Sequence, residues 1–290
     1  MQLDIFEHSR DVMLRNDVAH ALERRDGAAA RVAWEVLARE CPVDECLASL
    51  LVLVKAVEGW GQPVFRDHDA LRDARLAQQN DIEPAAQRTF GDKAATAWLD
   101  RLRRELAQRA APLAFRADHG EEHAAPLWLR AGDWMAAAEA VKRIESWRRI
   151  PAPLAWMVQA RLKGYGLQAT WGMLAELAWL SPRRLNELVG HACDPTLQQL
   201  VDKFESSFDG AGDASDLAWF PAWVLTERPS LATPMALAQP SQHSAPEKAM
   251  RVMIELLGLE RQGRHHDVVA RRKTLRDLHA SLYAAYMRAR

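Results

Sequence analysis

"RDGAAARVAWEVLARECP", Arg25 to Pro42, is the stretch whose reading decides the fold. Ala30, Trp34 and Leu37 return at steps of four and three, the period of a helix with one buried face. Asp26 stands where a side chain can accept a bond from the free amides of a first turn, and Pro42 cannot continue the helix. Upstream, residues 9–24 repeat the pattern, with Val12, Met13, Val18, Ala21 and Leu22 expected on one side. Downstream, Pro42 can itself open a third helix that runs to about Gly59, because its missing amide would have no partner in a first turn. The local unit is therefore helix, tight turn, helix.

The same punctuation recurs along the chain. Ser181-Pro182 and Asp194-Pro195 each put a capping side chain before a proline, and Ser244-Ala-Pro-Glu247 has the spacing of a capping box. No alternating run of β-branched residues and no hairpin dipeptide between such runs is present, so the expected class is all-α. Two stretches break the rhythm: Gly59 to His68 reads as a loop, and Thr226 to His243 is a Pro/Ser-rich stretch. The expected organisation is a helical body over 1–225, a linker or long loop over 226–245, and a C-terminal helical pair over 246–290. "WFPAW", Trp219 to Trp223, is too apolar to stay wet and should anchor that loop.

Internal similarity separates an array of hairpins from a bundle. "GDWMAAAEAVKRIESWRR" from Gly132 and "GRHHDVVARRKTLRDLHA" from Gly263 align with the stretch at Arg25, small and aliphatic residues falling in step. These segments resemble the second helix of a tetratricopeptide repeat. The matching positions are Gly132, Asp133, Trp134, Ala137, Val141 and Ile144, and in the first stretch Ala30, Trp34, Leu37 and Pro42; from Gly263 the bulky position holds Arg272. The resemblance implies a right-handed superhelix or array of antiparallel helical hairpins with a surface that binds peptides or protein partners. Trp34, Trp134 and Trp147 are the candidate partner-binding anchors.

Composition narrows the classes further. At 290 residues, 49% hydrophobic and 27% charged, the chain can bury one large core or two smaller ones. A formal net charge of -1 supplies no global attraction for polyanions, so nucleic-acid binding would need charge segregated onto one face. The three cysteines, Cys41, Cys46 and Cys193, match no zinc module and read as reduced. Cys193 near His191 is expected to be a buried structural thiol. The first residues lack a signal-peptide pattern and the longest apolar run is cut by Lys55, so a cytoplasmic location without membrane contact is expected.

Three local patterns carry candidate chemistry. "HGEEH", His119 to His123, contains the His-x-x-Glu-His of one zinc-peptidase family; the resemblance would make His119 and His123 ligands and Glu122 the base. Both imidazoles share a face only on a continuous helix. Gly120 inside the motif costs about 1 kcal/mol of helix propensity, and Pro126 marks a new start, so a solvated polar turn is the expected reading. "LAELAWLSPRRLNELV", Leu174 to Val189, resembles the helix-turn-helix of the arabinose-activator family, with Trp179 where that family has glycine. It implies Arg183, Arg184 and Asn186 facing DNA. Residues 142–184 hold eight basic and two acidic side chains, a local +6, with Arg148 and Arg149 central and tryptophans interleaved. No glycine-rich phosphate loop and no nucleophile–base–orienter set is found, so no cofactor is implied. The functional expectation is a non-enzymatic scaffold or adaptor. A nucleic-acid-binding regulator built on 142–189 comes second, and a zinc hydrolase third.

Overall fold

The structure is a computed structural model, described for residues 3–192, 194–241 and 243–290. It is all-α, with helix over 78% of the chain and no strand among the described residues. Consecutive helices pack against one another, consistent with hairpin arrays. The chain divides into two compact units, Met1–Asp133 and Trp134–Arg290. The boundary expected at residue 225 falls inside the second unit.

The first unit opens with α1 (Leu3–Arg24), α2 (Gly27–Glu40) and α3 (Leu47–Glu58). Asp26 caps α2 by accepting from the Ala29 amide at 2.9 Å. Ala30 and Leu37 are buried in a core with Leu50, Leu53 and Val54, while Trp34 lies half-buried and donates its indole N–H to the Leu47 carbonyl. Two expectations for this region are corrected. Val12 and Met13 lie on the exposed side of α1, because Leu14, Val18, Ala21 and Leu22 make the buried stripe. Pro42 does not open α3: residues 42–46 are a turn in which Asp44 accepts from the Cys46 amide, and α3 starts at Leu47.

After the expected loop, α4 (His68–Ala77) leads into one widened π turn over Gln78–Ile82, where the Glu83 amide bonds back to the Gln78 carbonyl. α5 (Glu83–Ala110) follows, broken at Gly91, whose φ of 73° suits glycine. A 3₁₀ turn over Ala117–Glu122 and α6 (Ala124–Arg130) complete the unit.

The second unit contains α7 (Trp134–Lys142), α8 (Pro151–Tyr165), α9 (Trp171–Leu180), α10 (Pro182–Ala192), α11 (Pro195–Ser207), α12 (Phe220–Glu227), α13 (Ala232–Met235), α14 (Ala245–Arg261), α15 (His265–Leu278) and α16 (Ala280–Arg288). Ala137, Val141 and Ile144 are buried, as the repeat spacing requires. Asp194 caps α11 through the Leu197 amide. Phe220 and Trp223 sit in the core beside Phe204. The C-terminal pair expected over 246–290 is three helices, since His279 ends α15 and its Nδ1 accepts from the Leu282 amide to cap α16. Arg272, the misfit of the repeat pattern, donates to the hydroxyl of the fully buried Tyr286 and pairs with Glu260.

Residues 226–241 form short helical turns and bury several side chains. Leu231, Ala232, Met235 and Ala238 are buried. Gly172 on α9 lets this segment approach closely: a Cβ there would stand 3.2 Å from the Ala238 nitrogen.

Candidate functional site

The "HGEEH" turn has its last two residues buried, which corrects the solvated reading. Glu122 and His123 are each 6% exposed. Glu122 accepts from Arg75 Nη2 at 2.9 Å, with Arg72 Nε at 3.9 Å. His119 Nδ1 lies 2.9 Å from Arg72 Nη2, and its ring is 5.1 Å from that of His68. The turn is 3₁₀ and kinked at His119 (φ -126°, ψ 41°), so the two imidazoles do not share a helix face. His123 Nδ1 is already used, accepting from the Ala125 amide at 3.1 Å to cap α6, and Phe115 meets the ring edge-on. Burial lowers the His123 pKa to about 4, with His68 adding to the effect. Among the described residues, no group of three His, Cys, Asp or Glu side chains could hold a metal ion.

What the turn does is hold arginines. Arg75, Arg103 and Arg130 line a cavity of about 320 Å³ together with Gln78, Gln79 and Glu83. Each guanidinium has carboxylate partners: Arg75 takes Glu122, Arg103 takes Glu83 at 2.9 Å and Asp100 at 3.3 Å, and Arg130 takes Glu121 at 2.7 Å. Two of these four acids come from the "HGEEH" turn. The π turn forms part of the wall, and single π turns are frequent at functional sites. This cleft was missed from sequence, although Arg72, Arg75 and Gln78 at steps of three mark one polar helix face.

The basic middle is more neutral than its composition suggests. Arg148 is half-buried and bonds the buried Glu176 at 3.0 Å and 3.2 Å, stacking over Trp147. Lys142 pairs with Glu139, and Arg183 with Glu187 one turn on. Arg149 and Asn186 are exposed, and Arg184 is half-buried. Trp134 and Trp147 are half-buried, and Trp156 and Trp171 lie in the core. In the helix-turn-helix candidate, α9 stays helical through Trp179 and the chain turns only at Ser181, two residues beyond the family's glycine position. Cys193 lies outside the described residues. Cys41 and Cys46 are free, and burial pushes the Cys46 thiol up.

Two further buried carboxylates in the second unit hold main chain. Glu176 accepts from the Gln239 amide at 2.9 Å as well as from Arg148; burial raises its pKa, against the pull of these partners. Glu247, fully buried, accepts from the amides of Ser241 and His243, the Ser241 hydroxyl and Arg251. Burial would raise its pKa, but the bonds from Ser241 and Arg251 win and hold it below the usual carboxylate range. Ser244 caps α14 through the Glu247 amide, so the box spacing is realised in that half.

No family model, no curated protein and no solved structure matches the chain. No helix among the described residues is long and apolar enough to cross a membrane.

Proposed function

We propose that this protein is a non-enzymatic scaffold or adaptor that binds a protein or peptide partner on the surface of tetratricopeptide-like helical hairpins. The observation that carries the reading is the apolar end of the first hairpin. Ion pairs from Arg10 to Glu40 and from Arg15 to Asp44 bring this part of α1 beside residues 40–44. Val43 there is 95% exposed and Met13 57% exposed, with Val12 also open. Large apolar side chains held outward by a rigid polar frame suit a partner's apolar surface. Trp34, Trp134 and Trp147, each half-buried, are the aromatic contacts of this reading.

The test is capture from nuclease-treated lysate with the wild type and with the Met13→Asp/Val43→Asp variant, after circular dichroism confirms equal helicity. A protein retained by the wild type and lost with the variant supports the reading. Retention unaffected by the variant, or recovery of nucleic acid alone, overturns it.

A second reading, nucleic-acid binding, is favoured by the outward placement of Arg149, Arg183 and Asn186. It is tested by titrating a generic duplex against salt with the Arg149→Glu/Arg183→Glu/Arg184→Glu variant. Arg148 is left in place because its loss would strand the buried Glu176. Binding that weakens with salt and disappears in the variant would put this reading first.

A further inference from the structure

We infer that the arginine cleft of the first unit is a binding site for a small molecule bearing an oxyanion, a carboxylate or a phosphate. Its lining holds three guanidiniums and one carboxylate. Glu121 and Glu122, which pair with Arg130 and Arg75, are not part of that lining. The lining side chains carry three positive charges and one negative, while the arginines stay fixed by Glu83, Asp100, Glu121 and Glu122. Such prior fixation lowers the ordering cost that a flexible cation would pay on binding.

A guanidinium carries five N–H donors in a rigid fork; Arg103 commits all three nitrogens to Glu83 and Asp100, whereas among the described residues Arg75 and Arg130 each bond a carboxylate through Nη2 alone. Arg75 donates Nη2 to Glu122, while its buried Nε has no hydrogen-bond partner among the described residues. The donors of Arg75 and Arg130 that no carboxylate takes are the ones left for a ligand's oxygens. Gln78 and Gln79, the first two residues of the π turn, add amide groups that can donate to the oxyanion or accept from a neighbouring hydroxyl. Apolar lining is limited to Leu106 and Leu127. A volume of about 320 Å³ is at the small end of ligand pockets, which suits a metabolite-sized anion and not a polymer. This inference does not rest on the partner-binding reading, whose residues are Val12, Met13 and Val43.

The test is calorimetric titration of the full-length protein with inorganic phosphate and, separately, with citrate, each at constant ionic strength against a chloride control. The expected result is saturable binding of at least one probe at one site per chain, and the arm that binds identifies phosphate or carboxylate as the group recognised. Arg130→Gln changes an exposed pair and should fold normally; it should weaken binding about tenfold. Arg103→Lys keeps the charge but loses the forked bonds to Glu83 and Asp100 that position it, and should weaken binding by a smaller factor. No saturable binding of either probe, or binding unchanged in both variants, would overturn the inference.

Discussion

Glu122 in the first unit and Glu247 in the second are the same chemical device put to two uses. Each is a buried carboxylate beside an arginine, Arg75 or Arg251. Glu122 receives only arginine side chains in its described bonds, and the guanidinium it fixes lines an open cleft. Glu247 adds two backbone amides and a hydroxyl, so it ties down Ser241 and His243. Burial makes both strong, because an ion stripped of water must be repaid by its partners. What the partners are decides whether the result is a site or a clamp.

Removing the clamp should have the largest effect. Glu247→Ala strands Arg251 and several donors, and should cost about 3–5 kcal/mol of the second unit's stability, read by urea denaturation. A cost under 1 kcal/mol would mean that Glu247 is not the clamp. Glu122→Gln should cost about 2–3 kcal/mol in the first unit, since Arg75 loses its ionic partner but keeps an acceptor.

His123 sharpens the comparison through pH. Its folded pKa of about 4 lies below the ordinary 6.5, so the unfolded chain binds the proton first as pH falls. The associated stability is present above 6.5 and is lost progressively between 6.5 and 4, about 2 kcal/mol by pH 5. His123→Asn keeps a capping acceptor for α6 and should flatten that part of the first unit's pH–stability curve. An unchanged slope in the variant would show that His123 is not the group responsible. The smallest effect belongs to an exposed pair: Arg183, 86% exposed beside Glu187, should change stability by no more than about 0.5 kcal/mol on conversion to Ala, in thermal unfolding.

How much of this was legible in the sequence follows the range of the interactions. Caps at Asp26, Asp194 and Ser244 and the buried Ala30, Leu37, Ala137 and Val141 were readable because they depend on neighbours within a few positions. The face of α1 was misread because Val12 and Met13 look as apolar as Leu14 and Val18; only the position of α2 selects between them. The "HGEEH" turn was read as solvated because its burial depends on Arg75, 47 positions away. Residues 226–245 look like a loop by composition, and the acceptors that let them pack, Glu176 and Glu247, lie on two different helices. The arginine cleft brings together helices and turns from residue 75 to residue 130, and only its first wall had a local pattern.

The most direct test of one device with two uses is hydrogen exchange on Glu247→Gln and Glu122→Gln beside the wild type. Glu247→Gln is expected to speed exchange at the Ser241 and His243 amides by about tenfold or more, while Glu122→Gln speeds exchange over 117–123 by a smaller factor. Equal acceleration in both segments, or none at Ser241 and His243, would contradict that expectation.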